Sequence, residues 1–289
     1  MQANILFAVQ KSFAGISKLS PRLAARMVHG LITNPSLLVR PSSEERELLA
    51  NNEPILQRAD ALTVMAPAGA MRVYHWTPES DRPADAPVAV LVHGWGARAA
   101  HMAGFVPLLL SQGYQVAAPE LPGHGTSAKG SLTISSADAV IKATSAALGG
   151  VNILMGHSFG ASAVLNAAQD LNPDKLVLLA APSSLEQVYR RIARLLEISL
   201  PAEDELIKRL ELSSDVSMAH LNAEMQLVHV NRPCLAIHDE DDFEIPINTS
   251  IARSNIQNMK AFITKGHAHR GVLSAPEVMK AVTKFTKRR

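Results

Sequence analysis

The stretch VNILMGHSFGASAVLNAAQDL, residues 151–171, decides the fold class. It begins with an apolar run, VNILM, which is typical of a strand buried on both faces of a parallel sheet. It ends with ASAVLNAAQDL, whose composition favours a helix. Between the two, Gly156, Ser158 and Gly160 make a Gly-x-Ser-x-Gly pentapeptide. The stretch therefore predicts a strand that turns sharply into a helix at a serine.

The same alternation of strand and helix continues on both sides of this stretch. Short apolar runs predict strands at 88–92, 114–118, 151–155, 175–180, 234–238 and 260–264. Helical patterns between them predict helices at 99–112, 136–148, 159–171, 246–258 and 276–287. Alternation of this kind predicts an α/β fold with a mostly parallel twisted sheet and helices on both faces.

Three regions depart from this rhythm. Residues 1–60 have apolar positions at helical spacing, interrupted at Pro21 and Pro35, which predicts an N-terminal helical extension packed on the body of the protein. Its polar face has few basic residues, so binding to a membrane surface is the less favoured alternative. From about residue 61, two extended runs flank Pro67-Ala-Gly69, which predicts an antiparallel hairpin at the sheet edge.

The third region, about residues 183–230, has no strand candidate and only helix-like stretches. An insertion between two sheet strands lies near the strand ends, where ligands bind in open α/β sheets. We therefore expect a main domain at 61–289 that carries a helical cap at about 183–230. Apolar residues of the cap either line a site for an apolar acyl or alcohol group or only pack the cap on the core: Leu195, Leu196, Ile198, Leu206, Leu210 and Met218.

Composition excludes several classes of protein. The chain has 289 residues, 47% hydrophobic and 19% charged, with a formal net charge of +2, so neither nucleic acid nor an acidic membrane is an expected partner. One cysteine, Cys234, excludes an internal disulfide and fits a reducing compartment. The sequence shows no membrane-spanning run and only a poor signal peptide, which predicts a cytoplasmic protein without stable membrane insertion.

The turn at Ser158 contains the candidate nucleophile. Glycines on both sides of Ser158 make room for the crossing chain, and the N-terminus of the following helix presents backbone N–H groups to developing negative charge. The alternative is an ordinary turn in which Ser158 caps the helix. A second Gly-rich turn, His93-Gly94-Trp95-Gly96, follows the strand VAVLV. The backbone N–H groups of Trp95 and Phe159 are the predicted oxyanion-binding pair.

These two turns, together with the loop Leu121-Pro-Gly-His-Gly-Thr-Ser127, resemble the α/β-hydrolase superfamily over roughly residues 61–289. The resemblance implies a serine esterase or lipase-like enzyme with a helical cap. It also implies an acid in the segment His238-Asp-Glu-Asp-Asp242-Phe-Glu-Ile-Pro246, at Asp242. Asp239 stands where relatives have glycine, and Asp241 remains an alternative acid.

The resemblance leaves two candidates for the catalytic histidine, His267 and His269. The segment His269-Arg-Gly-Val-Leu273 is similar to relatives in which the catalytic histidine is followed by Arg-x-(Ile/Val)-Leu. This favours His269, with His267 as the alternative. The expected catalytic residues are then Ser158, Asp242 and His269.

A serine activated in this way predicts hydrolysis of carboxylic esters or thioesters through an acyl-enzyme intermediate. The expected partner is a small-molecule acyl ester, and neither a cofactor nor a metal is expected. Two other functions remain open: an acyltransferase using the same residues, and a binding protein that keeps the fold without the chemistry. The oligomeric state is not predicted.

Overall fold

One eight-stranded sheet forms the centre of the computed structural model, which describes residues 2–35, 41–79 and 85–288, with side chains from Phe7 onward. The strands are β1 (Asp60–Ala66), β2 (Gly69–Trp76), β3 (Val88–Val92), β4 (Gln115–Pro119), β5 (Ile153–His157), β6 (Lys175–Leu179), β7 (Cys234–Asp239) and β8 (Met259–Thr264). Their order across the sheet is β1-β2-β4-β3-β5-β6-β7-β8. β2 pairs antiparallel with β1 on one side and with β4 on the other, and all other neighbouring strands pair parallel.

Helices cover both faces of this sheet. They are α1 (Gln2–Leu19), α2 (Pro21–Thr33), α3 (Ser43–Leu56), α4 (Ala99–Met102), α5 (Val106–Leu110), α6 (Ile134–Ala147), α7 (Phe159–Leu171), α8 (Leu185–Leu195), α9 (Leu200–Ser214), α10 (Ala223–Val230), α11 (Ala268–Gly271) and α12 (Pro276–Thr286). One apolar core lies under α6 and α7 and continues into α2, α8 and α9. A second lies on the opposite face under α4, α5 and α12. The predicted fold class is confirmed.

The predicted strands are confirmed with shifts of one or two residues. The run at 88–92 is β3 without change, and β3, β4 and β5 are buried along their whole length, as a strand covered on both faces must be. The predicted hairpin is also confirmed. Gly69 takes a φ of 114° as it begins β2, a conformation that favours glycine.

The helix predicted at 246–258 is wrong. Two short 3-10 turns, Ile247–Thr249 and Ile251–Arg253, occupy part of this interval. Ser250 between them is extended, bridges to Pro182, and hydrogen-bonds His238 Nδ1 at 2.7 Å. Long-range pairing of this serine therefore replaces the local helical pattern. The helix predicted at 99–112 is divided into α4, a 3-10 turn and α5, with Pro107 in the first turn of α5.

The described N-terminal residues form helices α1, α2 and α3, and α2 begins at Pro21 behind the Ser20 cap. Its partner, however, was not apparent from the sequence. α2 packs against α9, inside the interval 183–230, and buries Ala24, Ala25 and Val28. That interval contains α8, α9 and α10 and no strand, and α10 packs against α7. The N-terminal helices thus lie on the helices after β6.

Within residues 2–35, 41–79 and 85–288, every helix is too short or too polar to cross a bilayer.

Candidate active site

Ser158 lies at a strained turn between β5 and α7. Its φ of 54° and ψ of −119° are rare for any residue other than glycine. Such strain persists only where the surrounding structure holds it, and it concentrates at functional sites. The Ser158 N–H donates to the carbonyl of Leu179 on β6 at 2.8 Å, which ties the turn to the neighbouring strand. The serine therefore stands at the carboxyl end of the sheet.

Glycines are required on both sides of this turn, which we call the serine turn (residues 156–160). A Cβ on Gly156 would lie 2.3 Å from the carbonyl oxygen of Gly160. A Cβ on Gly160 would lie 2.4 Å from the carbonyl oxygens of Val92 and His93. Both distances are far below van der Waals contact, so any side chain would displace backbone. The pentapeptide pattern has a steric cause.

Asp242 and His269 meet in the interior at the same end of the sheet. Asp242 follows β7 and His269 lies in α11, and the two residues are 3% and 5% exposed. His269 Nδ1 and Asp242 Oδ2 are 2.7 Å apart. This hydrogen bond puts the proton of a neutral imidazole on Nδ1 and leaves Nε2 to accept another.

The other oxygen of Asp242 accepts the backbone N–H groups of Glu244 and Ile245 at 2.9 and 2.8 Å. Burial by itself raises the pKa of Asp242, but hydrogen bonds from His238 and His269 and from the Ile245 backbone outweigh it and hold that pKa below its ordinary value. Asp242 is therefore a fixed negative charge beside His269.

The alternative acid and the alternative histidine have other partners. Asp241 Oδ2 accepts the N–H of Gly266 at 3.0 Å. His267 Nε2 lies 2.6 Å from Glu277 Oε1, toward the outside of the molecule. The structure thus brings together Asp242 and His269 but not Asp241 and His267.

Asp239, which stands where relatives have glycine, does not take a positive φ. It is completely buried at the end of β7, and its carboxylate accepts four hydrogen bonds. Two come from the backbone N–H groups of His267 and Ala268, at 3.1 and 3.0 Å. The others come from Asp241 N and Thr264 Oγ1. Asp239 therefore holds the residues that precede His269.

Trp95 and Gly94 follow β3 and face the serine turn. A Cβ on Gly94 would lie 3.2 Å from the Ser158 Cβ, so the backbone of this turn passes close to the serine. The Trp95 indole N–H donates to the carbonyl of Ile32 at 2.7 Å. Gly96 N donates to His124 Nε2 at 3.0 Å, which fixes the same turn. Phe159 is the first residue of α7, where a backbone N–H has no partner inside the helix.

His157 also contacts the candidate histidine. It is 4% exposed, and its Nε2 lies 2.9 Å from the carbonyl oxygen of His269. Burial, and then the neighbouring His269, lower the pKa of His157 well below its ordinary value. A neutral His157 donates to that carbonyl and helps to fix the backbone of His269.

A cavity of about 530 Å³ opens beside Ser158 and His269. This volume lies in the range of sites for drug-sized molecules. Of the six apolar cap residues singled out in the sequence, Leu195 and Leu196 line the cavity, whereas Leu206 and Leu210 are buried in the core.

Part of this lining is not apparent from the sequence. Val28, Leu31 and Ile32 of α2 also face the cavity. Only their helical spacing marks them in the sequence, and that spacing is equally typical of ordinary core packing.

Residues 89–278 match the model of the alpha/beta hydrolase family. The chain belongs to the α/β-hydrolase family. It is also similar to a pyrethroid hydrolase of Sphingobium wenxiniae, with 36% identity over 90 residues. That match covers 30% of this chain and 32% of the relative, so it spans about a third of the relative's length.

Several solved structures share the fold at low sequence identity. Est1E from Butyrivibrio proteoclasticus, with ferulic acid bound, has a TM-score of 0.61 and 19% identity over 78% of this chain and 95% of that chain. Carboxylesterase CesB from Bacillus subtilis has a TM-score of 0.58 and 15% identity over 83% and 96%. Bromoperoxidase from Bacillus anthracis has a TM-score of 0.59 and 18% identity over 79% and 100%. The chain thus has the α/β-hydrolase fold, and esterases are among its structural neighbours.

Proposed function

We propose that this protein is a serine hydrolase that cleaves carboxylic esters, with Ser158 as nucleophile, His269 as general base and Asp242 as the acid that orients it. One observation carries the proposal: His269 Nδ1 bonds the buried Asp242 at 2.7 Å, and His269 lines the same cavity as the strained Ser158. A serine hydroxyl is a weak nucleophile at neutral pH, so this arrangement has a chemical purpose.

The reaction follows from the proton positions. Asp242 keeps the proton of neutral His269 on Nδ1, so Nε2 takes the proton of Ser158 as its oxygen attacks the ester carbonyl. The imidazolium that forms is stabilised by the fixed charge of Asp242. His269 then gives the proton to the leaving alcohol, and an acyl-enzyme remains. Water, deprotonated by His269, then attacks the acyl carbon; the serine oxygen leaves, takes the proton back from His269, and the carboxylic acid is released.

The negative oxygen of the tetrahedral intermediate needs hydrogen-bond donors. We assign the backbone N–H groups of Trp95 and Phe159 to this role. Phe159 supports the assignment because it starts α7, where the partial positive charge of the helix adds to the N–H. Gly94 supports it because it brings the Trp95 backbone close to Ser158. One such donor contributes about 3 kcal/mol to transition-state stabilisation in hydrolases of this type.

Covalent labelling tests the nucleophile. A fluorophosphonate probe should modify Ser158, located by peptide mass spectrometry, and p-nitrophenyl esters should be hydrolysed. Ser158→Ala should abolish labelling and lower kcat by roughly 10⁵ to 10⁶-fold. Modification of another serine, or a Ser158→Ala variant that keeps most of its activity, refutes the assignment.

The two neighbouring histidines provide a matched pair for the base. His269→Ala should reduce kcat by several orders of magnitude, as loss of a triad histidine does. His267→Ala should change it by no more than about twofold, because its side chain pairs with Glu277 near the surface. Equal losses in both variants contradict the choice of His269.

A further inference from the structure

The cavity beside Ser158 has two apolar walls from distant parts of the sequence. One wall comes from the cap helix α8 and includes Leu185, Tyr189 and Ile192. Another wall comes from the N-terminal helix α2, and we call it the α2 wall: Val28, Leu31 and Ile32. Val28 and Ile32 are 0% and 7% exposed, so this wall is part of the packed structure.

Several contacts hold the N-terminal helices against the cap. Ser17 at the end of α1 is 1% exposed, and its Oγ accepts the N–H of Ser199 at 3.0 Å. Ser199 Oγ donates in turn to the Ser17 carbonyl at 3.2 Å. Further along, His29 Nε2 and Ser213 Oγ are 3.1 Å apart. Helices α1 and α2 are therefore held against α9.

The α2 wall is also joined to the serine side of the cavity. The carbonyl of Ile32 accepts the indole N–H of Trp95, and Trp95 belongs to the turn that passes Ser158. A change in the position of α2 would thus move the cavity wall relative to the reacting serine.

We propose that the α2 wall selects the substrate, and that the enzyme takes esters whose larger group is bulky and apolar and lies between α2 and α8. This inference rests on the proposed ester hydrolysis. Apolar walls gain free energy from each methylene that they remove from water, which corresponds to a rise in kcat/KM on the order of fourfold per methylene. The preference for long over short esters should therefore depend on α2.

Substitution of Leu31 in both directions tests the α2 wall. Leu31→Trp narrows the cavity and should lower the octanoyl-to-acetyl ratio of kcat/KM for p-nitrophenyl esters by about tenfold or more. Leu31→Ala widens it and should move the best substrate to a longer acyl chain. Opposite shifts cannot arise from general destabilisation, and either variant is informative if the other fails to fold.

Leu23→Trp is the matched control, because Leu23 lies on the same helix, is 50% exposed and does not line the cavity. Its octanoyl-to-acetyl ratio should equal that of the wild type. The same variants are assayed with acetate esters of alcohols of increasing length, since the larger group is either the acyl or the alcohol part. If both series keep wild-type ratios in both Leu31 variants, the α2 wall has no selective role. If wild type cleaves no ester and Ser158 is unlabelled, the proposed function itself fails.

A second inference rests on one polar group in the α8 wall. Tyr189 is 7% exposed and lines the cavity, and its hydroxyl has no hydrogen-bond partner among the residues that the structure describes. Burial raises the pKa of Tyr189, so the hydroxyl keeps its proton and remains a donor. No protein group of the described residues uses this donor, so an acceptor brought by the substrate would pair with it.

We infer that Tyr189 donates a hydrogen bond to an oxygen in the larger group of the ester. The test compares Tyr189→Phe with wild type on octanoyl-length esters that carry one ether oxygen, moved along the chain, and on the all-carbon ester. At one position, kcat/KM for the ether relative to the alkyl ester should fall about five- to tenfold in Tyr189→Phe.

Tyr114→Phe is the control, because it loses a buried hydrogen bond to the Thr286 carbonyl but lies outside the cavity. It should keep the wild-type ratio at every ether position. If the ratio in Tyr189→Phe equals that of wild type at all positions, or if all esters lose activity equally, the inference is wrong.

Discussion

The serine turn and the loop that carries His269 are built in opposite ways. The serine turn is held by contacts between backbones, which only glycine at 156 and 160 permits. The loop at residues 265–271, which we call the histidine loop, is held by hydrogen bonds to distant carboxylates. Asp239 and Asp241 accept the backbone N–H groups of residues 266–268. One half of the site thus depends on steric fit, and the other on polar groups from a different strand.

A steric constraint fails when an atom is added, whereas a polar constraint fails when an acceptor becomes a donor. Two kinds of substitution should therefore test the two halves of the site independently. One adds a carbon to the serine turn, and the other exchanges an oxygen for a nitrogen near the histidine loop.

Asp242→Asn should have the largest effect among these changes. The amide can keep Oδ1 as acceptor for Glu244 and Ile245, but it turns an NH₂ group toward His269 Nδ1. His269 must then carry its proton on Nε2, where it cannot accept the proton of Ser158. We expect kcat to fall by about 10⁴-fold at neutral pH. Activity within tenfold of wild type would show that Asp242 does not set the tautomer.

Gly160→Ala should come next, because its Cβ would lie 2.4 Å from two backbone oxygens of β3 and the turn after it. We expect a loss of about 1–3 kcal/mol in unfolding free energy and about a hundredfold fall in kcat. Gly15→Ala in α1 is the control, since its Cβ meets nothing within 4 Å. It should stabilise the protein by about 0.5–1 kcal/mol, as alanine does in a helix. Chemical denaturation measures both, and equal signs would contradict the steric argument.

Asp239→Asn should weaken the histidine loop without touching the serine. Its amide can accept only part of the four hydrogen bonds that the carboxylate accepts, and the NH₂ group faces other donors. We expect kcat to fall about tenfold, with KM little changed, because a small displacement of a catalytic group lowers the rate of the chemical step. Asp241→Asn affects a single contact that is more exposed, and it should lower kcat by no more than about twofold.

A loss of thermal stability in Asp239→Asn that leaves kcat intact would assign Asp239 to the fold alone. The rate of fluorophosphonate labelling provides a second reading, since it depends on the His269 position and not on substrate binding.

The smallest expected effect is on acid stability. The folded pKa of Asp242 lies below its ordinary value of 3.8, so the unfolded chain binds the proton more tightly. The stabilisation is complete above pH 3.8 and is lost as the pH falls toward the lower folded pKa. Asp242→Asn should remove this contribution, so its unfolding free energy should fall less steeply than that of wild type below about pH 4. Parallel curves from urea titrations across this range would show that Asp242 is not strongly stabilised as an anion.

Local pattern determined most of the sheet. Apolar runs of β-favouring residues predict β3 to β8 within two residues, although β8, at the edge of the sheet, is only partly buried. The serine turn is equally predictable from the sequence, since the requirement for glycine at 156 and 160 has a local steric cause. The prediction of a helix at 246–258 was wrong because Ser250 pairs with two distant residues, Pro182 and His238, instead of continuing a helix. A local sequence pattern does not show pairing between residues that are distant in the chain.

The family resemblance favours His269 over His267, but only the tertiary structure shows that the two side chains have different partners. The two differ by two positions in sequence, and their side chains diverge toward Glu277 and Asp242 because α11 begins between them, held by Asp239. The position of α2 beside the cavity also depends on the tertiary structure. The helical spacing of its apolar residues is the same whether they pack in the core or line a binding site. A sequence specifies which residues avoid water and where the backbone turns. Which buried groups then meet depends on how distant segments pack.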